Sequence, residues 1–221
     1  MARHKRGFDA AVARRALVKA DPAFAPWIRK IGPIDYSSGW SRPFDVADAL
    51  ARAILYQQLS GKAAATIVGR VEAAMAEPRF HHRTLARLSD AQLRSCGVSG
   101  NKTMALRDLA RREKAGEIPD SRRLQYLDDD AIVSALVPTR GIGRWTVEMM
   151  LMFRLGRPDV LPIDDLGVRQ GAMLLDGLPE MPHPKALALR GRVWAPYRTL
   201  ASFYLWRIAD FRKEAVKRSQ S

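Results

Sequence analysis

Nearly every apolar residue of this chain falls at helical spacing, and that pattern bounds its fold more tightly than any other feature. Phe8, Val12 and Leu17 are followed by Phe24, Trp27, Ile28 and Ile31, with Asp21-Pro22 between the two sets. A proline breaks the helical ladder, so two short helices are predicted over residues 8–32. Val46, Leu50, Ile54 and Leu55 share one face of a further helix that begins after Asp45, a residue suited to capping a helix N-terminus. Strand-like alternation is absent at any convincing length, and the good helix formers Ala, Leu and Arg dominate. The predicted class is therefore all-α. Residues 33–43, with two prolines, Gly39 and three serines, read as a loop, and the polar segment 213–221 is expected to fray.

Charge narrows the choice of partner. In 221 residues, 37 Lys and Arg stand against 23 Asp and Glu, a formal excess of +14. Such an excess favours a polyanion, and for a chain of this size nucleic acid is the expected one. No segment approaches the ~20 apolar residues of a membrane helix, and the basic start is followed by no apolar run, which argues against secretion. A cytoplasmic, nucleoid-associated or nuclear monomer is expected. Cys96 is the only cysteine, so the chain can form no internal disulfide, consistent with a reducing compartment. An iron–sulfur cluster, which needs about four thiolates, is excluded.

Three stretches carry chemistry. Leu136-Val137-Pro138-Thr139-Arg140-Gly141-Ile142-Gly143-Arg144-Trp145-Thr146 reads as helix, tight turn and helix, with the glycines free to adopt positive φ. A helix start with exposed amides is an anion site, and phosphate suits it. Gln57-Gln58-Leu59-Ser60 forms a polar corner between two helical runs, the second resuming near Ala63. Leu93 to Lys102 is another helix-turn-helix signal, with Gly97 and Ser99 as caps and Lys102 placed to approach a phosphate. After an apolar helix spanning Trp145 to Leu155, predicted to be buried on most sides, come two adjacent carboxylates, Asp164 and Asp165.

Gly141-Ile142-Gly143-Arg144-Trp145-Thr146, Leu161-Pro162-Ile163-Asp164-Asp165-Leu166-Gly167-Val168-Arg169 and Arg52-Ala53-Ile54-Leu55-Tyr56-Gln57-Gln58-Leu59-Ser60 together resemble the helix-hairpin-helix DNA glycosylases, in particular their DNA-3-methyladenine glycosylase II (AlkA-type) branch. The resemblance implies a two-lobed helical fold, one lobe from about 40 to 157 with its hairpin at about 136–148. The other lobe would combine 1–39 with 158–221, and the active site would lie in the cleft between them. It further implies that the chain lacks the N-terminal α/β extension of longer relatives.

By the same resemblance, Asp165 is the catalytic carboxylate, since Leu166 and Arg169 follow it as in the family. A shift of one residue would give the role to Asp164. Trp145, Met149, Trp206 and Tyr204 line the base pocket, Met149 standing where the family's bacterial prototype has an aromatic. Gln57, Gln58, Leu59 and Ser60 supply the plug that fills the space of an extruded base. Gly141, Gly143 and Trp145 offer amides to phosphate beside Thr146, with Arg140 and Arg144 adding charge; Arg140 replaces a proline common in the family. The carbonyls of Val137, Thr139 and Ile142 would hold a monovalent cation, and no other cofactor is implied.

Trp145 occupies the position that carries a Schiff-base lysine in bifunctional relatives. The expected activity is thus monofunctional release of alkylated purines, such as 3-methyladenine and 7-methylguanine, from double-stranded DNA in base excision repair. Two alternatives stay open: a glycosylase for hypoxanthine or uracil, and a DNA-binding protein without catalysis.

Overall fold

A computed structural model describes residues 3–219, with side chains to residue 212; Met1, Ala2, Gln220 and Ser221 lie outside the described residues. The regular elements among the described residues are all helices, with no strand. Among them, no helix is long and apolar enough to cross a membrane. In chain order the helices are α1 (Ala10–Ala20), α2 (Phe24–Ile31), α3 (Ser37–Ser41), α4 (Val46–Tyr56), α5 (Gly61–Met75), α6 (His82–Leu85) and α7 (Asp90–Ser95). They continue with α8 (Gly100–Lys114), α9 (Asp129–Leu136), α10 (Arg144–Met150), α11 (Leu166–Asp176), α12 (Pro184–Arg190) and α13 (Arg198–Ser219). The last helix thus continues through most of the segment expected to fray.

The chain divides into two compact units, one of Met1–His4 and Pro43–Val147, the other of Lys5–Arg42 and Glu148–Ser221. The second division falls inside α10, earlier in the chain than the boundary near 157 that the resemblance implied.

The first unit packs α4 against α5 and α8. Leu50, Ile54, Leu55, Val71, Leu93 and Leu106 are buried in its core, each contributing roughly 1.5–3 kcal/mol of apolar burial. Capping sets the helix starts, at Asp45 and Ser99 as the sequence suggests and at Asp128 as well. The Asp45 carboxylate accepts from the Asp48 amide at 2.9 Å, Ser99 Oγ from Lys102 at 3.4 Å, and Asp128 from Ala131 at 2.7 Å. Helix α5 resumes at Gly61, two residues before the expected Ala63, because Ser60 caps it.

The second unit is organised on the crossing of α11 with α13. Gly171 permits it: a Cβ there would stand 2.0 Å from the Leu205 carbonyl oxygen. Phe24, Trp194, Phe203 and Tyr204 are fully buried beside this crossing.

Two expectations from the sequence fail. Residues 33–43 are not simply a loop. They contain α3, whose Trp40 is buried and donates its indole N–H to the Met152 carbonyl at 2.8 Å. That tertiary contact, not local propensity, orders the turn, and Gly39 fits because a Cβ would meet the Phe153 carbonyl oxygen at 2.7 Å. Nor is Trp145 to Leu155 one buried α-helix: α10 gives way to a π-helical turn over Leu151–Leu155, ended by Gly156 at φ +61°. Trp145 itself is 47% exposed.

Candidate functional site

Asp165 is the N-cap of α11. Its Oδ1 accepts from the Val168 amide at 2.8 Å and from the Trp206 indole N–H at 2.7 Å. Two donors on one oxygen fix the carboxylate's orientation as a single hydrogen bond would not. The donors reach it because the residue two positions on is glycine: a Cβ on Gly167 would stand 2.7 Å from Trp206 Cδ1 and 3.2 Å from Asp165 Oδ1. Asp164, one residue earlier, is exposed.

Trp206 is held in turn by other rings. It stacks on Phe153 with centroids 5.7 Å apart and planes 16° from parallel, and on Phe203 at 6.0 Å. Tyr36 meets Phe153 edge-on at 5.3 Å. Such a slab offers an extended π face beside a carboxylate. Phe153, Tyr36 and Gly167 were not singled out from the sequence. Only Gly167, lying between the carboxylate and Val168 in the motif, carried a local signal.

Tyr204 does not belong to this slab. Two residues before Trp206 on α13, it points to another side of the helix, is fully buried and donates to the Gly32 carbonyl at 3.2 Å. Burial pushes its phenol above the ordinary value. It is a core residue, which corrects its assignment to a base pocket. Met149 is half-buried on α10, four residues after Trp145 and so on the same helix face.

The glycine turn and the corner both lie in the first unit. Gly141 adopts φ +79°, while Gly143 stays outside the left-handed region, so only the first glycine needs that freedom. A Cβ on Gly143 would meet nothing within 4 Å, and both glycines are exposed, leaving their backbone approachable. The Ile142 amide closes the turn on the Thr139 carbonyl at 3.0 Å, and the Thr146 amide turns back on Gly143 at 3.0 Å. The Arg140 amide is held by Asp108 Oδ2 at 2.8 Å. Burial alone would raise the Asp108 carboxyl, but this amide and the Arg111 and Arg112 guanidiniums outweigh it and hold the group below its usual range. The Arg144 guanidinium lies 3.5 Å from Asp130, both exposed.

At the corner, Gln58 sits at φ +56° and Leu59 is 40% exposed. Gln57 turns towards the glycine turn: its amide donates to the Gly141 carbonyl at 2.7 Å. Lys102 departs further from expectation. Its ammonium donates to the Leu55 and Gln57 carbonyls at 2.8 and 2.9 Å, closing the C-terminus of α4 where a cation is favourable. Desolvation lowers its pKa. In this structure it caps a helix instead of pointing outward.

Residues 51–196, which include the corner, the glycine turn and Asp165, match the family described as HhH-GPD superfamily base excision DNA repair protein. The chain belongs to the HhH-GPD superfamily. Within this superfamily it is 36% identical over 170 residues to DNA-3-methyladenine glycosylase 1 of Schizosaccharomyces pombe, covering 75% of each protein. Among solved structures it is similar to a DNA-3-methyladenine glycosidase of Bacillus halodurans, with a TM-score of 0.81 and 34% identity over 91% of both chains. It is also similar to the S. pombe 3-methyladenine DNA glycosylase in complex with abasic DNA, with a TM-score of 0.74, 31% identity and coverage of 88% of this chain and 95% of that one.

Proposed function

We propose that this HhH-GPD protein is a monofunctional DNA glycosylase that hydrolyses the N-glycosidic bond of alkylated purines, including 3-methyladenine and 7-methylguanine, in double-stranded DNA. The observation that carries the reading is the Asp165 carboxylate, oriented by the Val168 and Trp206 N–H groups at the edge of an aromatic slab. Glycosidic cleavage builds positive charge on the sugar, and a fixed carboxylate stabilises it and takes a proton from the attacking water. The water oxygen bonds to C1′ while the base departs with the electron pair of the C–N bond. That pair neutralises the charge that alkylation placed on the ring, so an alkylated purine is already activated to leave.

A cationic base also suits indole faces, an attraction of about 0.5–2 kcal/mol. Trp206, stacked on Phe153 beside Asp165, offers such a face. The names of the relatives support the same lesion class. Trp145 in place of a lysine removes the amine that lyase chemistry needs, which supports release without strand cleavage.

The exposed glycine turn grips phosphate without reading sequence, and Gln58 with Leu59 enters the space of the extruded nucleotide. A monovalent cation on the carbonyls of Val137, Thr139 and Ile142 fits this reading. The Thr139 oxygen accepts the Ile142 amide yet retains a second lone pair, and the ion would add positive charge facing the phosphate. The +14 excess supports DNA as the partner.

A base-release assay on duplexes carrying 7-methylguanine, 3-methyladenine, ethenoadenine, hypoxanthine or uracil tests the proposal. Release confined to the alkylated purines is expected. Preferential release of uracil or hypoxanthine would replace it with a deaminated-base glycosylase, and no release from any duplex would leave a DNA-binding protein.

A further inference from the structure

One stripe of α8 touches both the corner and the glycine turn. Lys102, Ala105 and Asp108 are spaced by three residues, which places them along one side of the helix. Lys102 donates to the carbonyls of Leu55 and Gln57 at the end of α4. Ala105 packs so closely under the turn that a Cβ on Gly141 would stand 3.2 Å from its own. Asp108 accepts the Arg140 amide. The two supported segments are also bonded to each other, through the Gln57 amide and the Gly141 carbonyl. Between these anchors Gln58 is held at φ +56°, a conformation costly for a residue with a side chain and kept only where its surroundings impose it.

We propose that this stripe of α8 sets the distance between the phosphate-gripping turn and the Gln58-Leu59 pair that enters the duplex, with Lys102, Gln57 and Asp108 as positioning residues. The inference rests on the functional reading above, in which both segments act on DNA. The grip and the wedge must address the same nucleotide, and displacement of either by about 1 Å separates them in register. Lys102 therefore works through backbone carbonyls and not by meeting a phosphate, so its removal acts on extrusion instead of on attraction.

Lys102→Met, Gln57→Leu and their combination, made in the whole protein, test this on a duplex with one 7-methylguanine and a neighbouring 2-aminopurine. Each single change is expected to cut the 2-aminopurine fluorescence rise and the single-turnover release rate about tenfold. The double change should lose clearly less than the product of the two, because both act on one joint. The slope of log affinity against log salt should stay at the wild-type value. A slope shallower by about one for Lys102→Met would make Lys102 a phosphate contact and overturn the inference. So would rates within about twofold of wild type in variants that melt normally, or losses that simply multiply. Should Lys102→Met fail to fold, Gln57→Leu, which strands no ammonium, gives the fluorescence and rate comparison alone. Absence of release by the wild type would instead remove the functional reading itself.

Discussion

The Trp206 indole N–H donates to Asp165 Oδ1 at 2.7 Å, on the same oxygen that accepts the Val168 amide. Trp206→Phe keeps a ring against Phe153 and removes only the donor. A hydrogen bond to a charged group contributes about 1.5–3 kcal/mol, so the single-turnover rate of base release should fall roughly 10- to 100-fold. Binding to undamaged duplex, followed by fluorescence anisotropy, should change little. An unaltered rate would show that the Val168 amide alone orients the carboxylate.

Asp165→Asn separates chemistry from folding. Asparagine is as good an N-cap as aspartate, so the melting temperature should shift by no more than about a degree or two, while base release should drop by about a thousandfold or more. Asp164→Asn, at an exposed position, should leave release near the wild-type rate. The reverse pattern in paired release assays would move the catalytic role to Asp164.

Borohydride added during reaction with abasic duplex should trap no covalent protein–DNA adduct, because Trp145 supplies no amine. Introducing the amine by Trp145→Lys is expected to produce an adduct visible as a shifted gel band. Trapping by the wild type would contradict the monofunctional reading.

Gly141→Ala tests the turn. At φ +79° and with the Ala105 Cβ 3.2 Å from the added methyl group, the variant should lose about 1–2 kcal/mol of stability in urea melts. Affinity for undamaged duplex should weaken severalfold. Gly143→Ala, whose Cβ meets nothing within 4 Å, should keep its stability to within about 1 kcal/mol and report in the same binding assay on close approach of DNA.

Asp21 links stability to pH. It is 7% exposed and accepts from the Trp194 indole at 2.8 Å and from Arg190, which also pairs with Asp176 at 3.0 Å. Burial opposes the charged form, but the Trp194 and Arg190 donors prevail and depress the carboxyl's pKa. A depressed folded value stabilises the native state above the unfolded value of about 3.9, and that stability is lost as pH falls below it. Asp21→Asn should therefore cost about 2 kcal/mol at pH 7. In urea melts the gap from wild type should narrow towards pH 3; a gap independent of pH would place the loss in packing.

Local signals sufficed for much of this protein. Helical spacing determined the all-α class, and Asp45 and Ser99 placed helix starts because capping involves residues only two or three apart. The Gly-Ile-Gly turn and the Asp164-Asp165 pair were legible for the same reason, since backbone freedom and acidity belong to the residues themselves. Contacts between segments distant in sequence were decided by the tertiary structure alone. It turned Tyr204 into the core while Trp206 met Asp165, drew Lys102 onto the end of α4, ordered α3 on the Met152 carbonyl, and exposed Trp145 on a helix that looked wholly apolar. Such choices depend on which partner a side chain finds across 40 or more residues, and helical periodicity holds no record of the partner.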